Sequence, residues 1–264
     1  MDYRQFNLVN SLGETYRLTI AARYGAAFIH DITEMGSESS SEFQQIGNQF
    51  GIISDRINQK NITGVIRFFQ PRAYENYAKF ILFAQHKPLM LYYRTPAGEF
   101  WRDGIITKID KSENADVLQA TIKFSATSLW YQHFEIDGTT SAEINSESVN
   151  QSGCHITITG AMAAPAWAQT IDGETVITGA LEDKTVDGNT VSAAISAGES
   201  LHIRTDTMPY QIYKIDGNED RTDMYINSDW STERFCLIGY GDNEISCAGA
   251  ESIKVEGRIE YETI

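Results

Sequence analysis

The sequence predicts an α+β N-terminal half, antiparallel strands with one helix, followed by an all-β sandwich. Three observations lead there. One amphipathic helix signal, "QPRAYENYAKFILFAQHK" (70–87), lies among strand-like runs. After residue 153, short strand candidates alternate with turn signals roughly every 8–12 residues, and no helix pattern appears. The charge also divides: residues 1–131 hold 14 Lys+Arg and 13 Asp+Glu, net +1, whereas residues 132–264 hold 7 and 23, net −16. That change sets a boundary near 131–140, and the expected domains are 1–133 and 134–264.

The first half opens with two strand-like pieces, "TYRLTIAAR" (15–23) and "AAFIHDI" (26–32). Next comes "TEMGSESSSEFQQIGNQF" (33–50). Its Ser/Glu/Gly centre, 36–42, has no apolar period and reads as a mobile loop. Phe43, Ile46 and Phe50 follow at once, so 33–50 is a candidate arm reaching a neighbouring subunit. "GIISDRINQKNITGVIRFF" reads as a hairpin turning at 58–61. "ITGVIRFF" (62–69) is a β-branched and aromatic strand. In the helix, Pro71 suits the first helical position. Tyr77, Phe80, Ile81 and Ala84 share one face at i, i+3, i+4, i+7 spacing. Pro88 ends the helix and biases Lys87 toward an extended conformation. "LMLYYRT" (89–95), "EFWRDGIITKID" (99–110) and "VLQATIKFSAT" (117–127) complete the unit, with turns at 96–98 and 111–116.

In the second half, 135–153 is a junction with one short strand. The strand candidates that follow are 154–160, 166–171, 175–182, 184–188, 190–196, 200–206, 210–216, 224–228, 234–241, 244–249 and 253–264. Asp172-Gly173, Asp187-Gly188-Asn189, Ala197-Gly198, Asp216-Gly217-Asn218 and Gly241-Asp242-Asn243 supply the turns. Asp-Gly between alternating strands is a strong hairpin signal.

Chemistry-bearing motifs are few. His30, His86, His133, His155 and His202 show no metal-ligand spacing, and no cysteine lies in a zinc pattern. A nucleophile elbow, a P-loop and a dinucleotide fingerprint are all missing from the sequence. The loop 216–223 alternates Asp216, Asn218 and Asp220, but an EF-hand would need glycine sixth and a carboxylate twelfth, where Asn227 stands. No cofactor or metal is expected. Cys236 and Cys247 are expected on paired strands as buried thiols. Trp101, Trp130, Trp167 and Trp230 are scattered; a core or interface anchor is the commoner use of such residues, and Trp167 and Trp230 are also candidates for stacking on a sugar. A strongly acidic half repels phosphate backbones, so nucleic-acid recognition is not expected. No apolar run approaches the ~20 residues of a membrane span, and the N-terminus has no secretory-signal pattern. Synthesis and folding in a cytoplasm are expected, with three cysteines fitting a reducing compartment.

Two stretches carry a family resemblance. One is "YENYAKFILFAQHKPLMLYYRTPAGEFWRDGIITKIDKSENADVLQATIKFSATSLWY" (74–131). The other is "LHIRTDTMPYQIYKIDGNEDRTDMYINSDWSTERFCLIGYGDNEIS" (201–246), which ends in the Gly241, Asn243, Ile245 turn pattern. With the order of elements, these resemble the distal tail protein (Dit) family of long-tailed bacteriophages. Gly239-Tyr240 stands where the family usually has proline before the late glycine turn.

The resemblance implies a galectin-like C-terminal sandwich and an N-terminal domain that builds a homohexameric ring. The ring would join the major tail tube protein to the tail hub and offer a platform for receptor-binding proteins. Residues 33–50, with Phe43, Ile46 and Phe50, would form its belt. It also implies a virion tail-tip component made in the bacterial host cytoplasm, structural and not an enzyme, with no membrane insertion. Two other readings remain: a carbohydrate-binding module for host-surface glycans using Trp167 or Trp230, and a β-sandwich hydrolase with a carboxylate pair.

Overall fold

Two compact units share the chain: Met1–Tyr131 with Tyr261–Ile264, and Gln132–Glu260. The structure, a computed structural model, describes residues 4–18, 27–46, 49–59, 61–114, 117–262 and 264; within 37–59, and at 114, it describes the backbone alone.

The first unit holds β1 (Gln5–Asn10), β2 (Thr15–Arg17), β3 (Ala27–Thr33), β4 (Ser37–Ile46), β5 (Gln49–Gln59), β6 (Asn61–Phe68), α1 (Ala73–Gln85), β7 (Leu89–Thr95), β8 (Gly98–Asn114), β9 (Val117–Ala126) and the start of β10 (Trp130–Gly138). Seven of these pair antiparallel in the order β3-β6-β9-β8-β7-β1-β2. The two ends of that order meet at Leu18. The Leu18 amide donates to the Phe6 carbonyl at 3.0 Å, and the Ile29 amide donates to the Leu18 carbonyl at 2.8 Å. The sheet therefore curls toward a barrel, which removes open edges. Alternation makes this possible: every second residue of β6, from Ile62 to Phe68, is buried. Phe6, Leu8, Leu18, Ile29, Ile62 and Phe124 are among the interior side chains.

β8 serves three neighbours, one of them the start of β10, where Tyr131 pairs with Trp101. Its residues from Gly98 to Gly104 pair with β7, and those from Gly104 onward pair with β9, with a bulge at Thr107. Gly104 allows this close approach, since a Cβ there would lie 2.5 Å from the Ser125 carbonyl and 2.6 Å from the Phe124 ring.

The helix packs through Phe80, Phe83 and Ala84, with Tyr77 and Ile81 partly buried beside them. Tyr16 meets Phe80 edge-on, with ring centroids 5.2 Å apart. Arg72 caps the helix, so Pro71 lies outside its first turn instead of occupying the first helical position.

Three expectations for this unit change. β1 had no prediction, although it pairs with β7 along its whole length. The stretch expected as a mobile loop, 36–42, lies almost wholly in β4, which pairs with β5. The hairpin expected to turn at 58–61 does not exist, because β6 pairs with β3 and β9 instead. Period-2 apolar alternation marks strands with one buried face, and the Ser/Glu stretch of β4 lacks it. Residues 19–23 of the first expected strand lie outside the described residues.

The second unit adds β11 (Ser141–Ser146), β12 (Ser152–Thr159), β13 (Ala166–Ile171), β14 (Glu174–Ala180), β15 (Lys184–Val186), β16 (Asn189–Val191), β17 (Ser200–Arg204), β18 (Gln211–Ile215), β19 (Arg221–Asp223), β20 (Leu237–Ile238), β21 (Gly241–Cys247) and β22 (Ser252–Tyr261). One sheet runs β19-β18-β17-β12-β22 and the other β11-β21-β13-β14, all antiparallel. Ile156, Ile158, Leu201, Ile203, Ile253 and Val255 of the first sheet share one core with Ile144, Trp167 and Ile245 of the second. All three expected Asp-Gly connections join paired strands, β13 to β14, β15 to β16 and β18 to β19, and two of them are tight. Asp172 and Gly173 have φ of 50° and 82°, and Asp187 and Gly188 have 49° and 81°, which suits the twist of tight hairpins.

Here too, expectations change. Gly241, Asp242 and Asn243 begin β21 and are not a turn. Residues 225–227 form a 3-10 turn instead of a strand. Cys236 and Cys247 are buried free thiols, but they do not sit on paired strands, since β21 pairs with β11 and β13.

Asn243 explains why that segment is held so firmly. Its side chain donates to the Gly239 and Gly241 carbonyls, both at 3.0 Å. Its Oδ1 accepts from the Gly239 amide at 3.2 Å and from Gln169 at 3.1 Å. A buried carboxamide with every group paired fixes a bend that hydrophobic patterning does not encode.

Candidate functional site

Three surface features are distinct enough to carry function. The first is the β4–β5 hairpin. It is a two-stranded sheet of its own, paired from Ser37↔Gln59 to Ile46↔Gln49, with a bulge at Ile53. At ~3.4 Å per residue, its ten-residue strand spans about 34 Å. Phe43 lies opposite Ile52, and Phe50 opposite Gln45. The three residues singled out from the sequence, Phe43, Ile46 and Phe50, thus fall in the half nearest the tip, whereas Ser37, Glu38, Ser39, Ser40 and Ser41 form the root of the same strand.

The second feature is an aromatic ledge on the second unit. Trp167 and Trp230, paired as sugar-stacking candidates, separate sharply. Trp167 is 2% exposed. Its ring packs on Gly179, where a Cβ would come within 2.2 Å, and its Nε1–H donates to the Arg234 carbonyl at 2.9 Å. It is a core residue with no face to offer a ligand, which corrects that expectation. Trp230 is 61% exposed. Tyr225 lies 5.6 Å from it, Phe235 6.1 Å from Tyr225, and Tyr210 5.1 Å from Phe235. The Arg234 guanidinium lies over the Trp230 ring, 3.9 Å from its centroid, a favourable cation–π contact. Arg234 and Phe235 continue into a cleft of about 470 Å³ whose wall includes Gln151, Thr232 and Glu233. The supporting tyrosines and Phe235 went unrecognised because they are far apart in sequence and lack a common period.

The third feature is a ladder of rings across the first sheet of the sandwich. Arg221 of β19 lies 3.8 Å from the ring centroid of Tyr213. Tyr213 stacks on His202 at 4.9 Å and 6°, and His202 stacks on His155 at 5.2 Å. His155 Nε2 and His202 Nδ1 are 3.0 Å apart, and His202 Nε2 is 2.8 Å from Ser200 Oγ. Burial, then the neighbouring His155 and Arg204 charges, push the His202 pKa down to about 4. Burial and Arg204 also lower that of His155. The two histidines were treated as unrelated from the sequence; they meet because β12 and β17 pair with Thr157 opposite His202.

One buried cation stands apart. Arg102 of β8 has no exposed surface, donates through Nε to the Ser128 carbonyl at 3.1 Å, and lies over Trp130 at 5.3 Å. Its two terminal nitrogens have no partner, and burial lowers its pKa to about 10. Among the described residues, no group of three or more His, Cys, Asp or Glu is arranged to hold a metal ion. No helix among them is long and apolar enough to cross a membrane.

Comparison with known proteins points in one direction. The family model described as the distal tail protein, N-terminal domain, matches residues 5–127. A chain of the phage P2 baseplate in its activated conformation with calcium is similar in fold. Its TM-score is 0.67 at 13% identity, covering 99% of this chain and 100% of that one. The phage SPP1 Dit protein, described as a paradigm of the hub adsorption apparatus in phages infecting Gram-positive hosts, gives 0.64 at 9% identity, covering 97% and 99%. No curated protein sequence matches the chain.

Proposed function

We propose that this chain, whose residues 5–127 match the family model of the distal tail protein, N-terminal domain, is a structural component of a phage tail tip. In this reading six copies close into a ring that joins the tail tube to the tail hub. The β4–β5 hairpin reaches the next subunit as a clasp. The second unit is a galectin-like sandwich that faces outward and offers a platform to receptor-binding proteins. The protein works by assembly and not by catalysis.

The observation that carries this reading is the hairpin. An isolated two-stranded ribbon is at best marginally stable in water. This one is long, pairs with no third strand among the described residues, and concentrates its large apolar residues toward the tip. A neighbouring copy supplies the missing surface, and a head-to-tail contact of that kind closes into a ring. The near-neutral charge of residues 1–131 suits repeated self-contact, because identical strongly charged faces repel.

The test compares the full chain with a variant in which 37–59 is replaced by a short Gly-Ser link. The intact protein is expected to form a six-membered ring by light scattering and negative-stain imaging at high concentration. The variant is expected to remain a folded monomer, with an unchanged far-ultraviolet spectrum apart from the lost hairpin. Ring formation by the variant would remove the clasp from this account.

A further inference from the structure

We infer that the aromatic ledge and the adjoining cleft of the second unit form a binding site for an uncharged saccharide. This step is independent of ring assembly and rests on four features, with the ledge and the cleft joined through Arg234 and Phe235.

The first is Trp230. A tryptophan this exposed keeps a large apolar ring in contact with water, which forgoes the free energy that burial would provide. Trp230 is also held in place, by the Arg234 guanidinium on the ring and by Tyr225 beside it. Arg234 Nη1 in turn donates to the Asp229 carbonyl at 2.6 Å, which ties the platform to its own loop. A fixed aromatic plane is what the C–H face of a sugar ring packs against, because little side-chain freedom is lost on binding.

The second is the chemistry of the wall beside it. Gln151, Thr232, Glu233 and Arg234 place amide, hydroxyl, carboxylate and guanidinium groups around one opening, with Ile171 and Val176 as apolar lining. Thr232 Oγ1 and Arg234 Nε have no hydrogen-bond partner. Buried polar groups are normally paired, and vicinal hydroxyls both donate and accept. A peptide side chain offers this combination at single points only, whereas a sugar offers it all around its ring.

The third is size. A cleft of about 470 Å³ falls within the range of about 300–1,000 Å³ found for small-ligand sites. The fourth is charge. Residues 132–264 carry a net −16, which disfavours polyanions such as a teichoic acid phosphate chain and leaves neutral glycans as the matching class.

The experiment uses the full chain on an array of immobilised neutral oligosaccharides: N-acetylglucosamine oligomers, glucose oligomers and galactose- or rhamnose-terminated chains. Glycerol-phosphate teichoic acid is included on the same array, and hits are followed by calorimetry. At least one neutral oligosaccharide is expected to bind. Trp230→Ala is expected to weaken that binding roughly tenfold or more, and Trp230→Phe to retain most of it. Because Trp230 is exposed, both variants are expected to keep the melting temperature and assembly state of the parent, which separates this test from that of the ring. The proposal is overturned by no binding to any neutral oligosaccharide at millimolar concentration. Binding confined to teichoic acid, or binding that Trp230→Ala leaves intact, overturns it as well.

Discussion

At the scale of single residues, His202 carries the most specific consequence. Its imidazole is 8% exposed and lies between Tyr213 and His155. In the unfolded chain it takes up a proton near its ordinary pKa of 6.5, but in the folded protein only near 4. The unfolded state therefore binds more protons between those values, and stability falls as pH drops from 6.5 to 4. The upper bound for this one group is about 3 kcal/mol. His202→Phe keeps an aromatic ring against Tyr213 and removes the titration. Its melting temperature is expected to change less between pH 7 and pH 5 than that of the parent; an equal slope in both proteins would place the acid sensitivity elsewhere. The sequence displays this residue without its meaning. His155 and His202 read as ordinary strand positions, and only the β12–β17 register brings their nitrogens within 3.0 Å. Trp167 and Trp230 show the same limit from the other side, since identical side chains were given one role and the fold divides them between core and surface.

At the scale of elements, legibility followed burial. Strands with one buried face, such as β6, β7, β9 and β12, announced themselves by alternation, and the Asp-Gly hairpins by turn chemistry. β4 did not, because a two-stranded ribbon has no packed sheet to impose a pattern, and β5, read as a strand, was given β6 as its partner instead of β4. β21 was cut short in the prediction because its first three residues, Gly-Asp-Asn, look like a turn; the paired Asn243 side chain holds them in a strand. The bend in β8 gives the test at this scale. Gly104→Ala places a methyl group against a backbone carbonyl and the Phe124 ring, and neither yields without moving β9. A loss of about 2–3 kcal/mol is expected, measured by denaturant unfolding. A loss under 0.5 kcal/mol would mean that β8 and β9 separate easily at this point.

For the whole molecule, each unit has its own core. The hydrophobic cluster of the second unit runs from Ala142 to Val255 and draws on no residue outside Gln132–Glu260. A fragment of residues 132–260 is therefore expected to fold alone, with a cooperative thermal transition and dispersed amide resonances. A broad, non-cooperative melt would contradict the independence of that core. The charge step near residue 131 lies where the chain passes from the first unit to the second. Nothing in the sequence signals that Tyr261–Ile264 comes back to the first unit, where Tyr261 meets Phe100 edge-on at 5.7 Å.

That return has a mechanical consequence. The chain crosses between the two units twice, at Tyr131–Gln132 and at Glu260–Tyr261. A protease cut at Tyr131–Gln132 would leave Gln132–Glu260 covalently joined to Tyr261–Ile264 alone, and the first unit would then keep it only through the contacts of that segment, such as Tyr261 on Phe100.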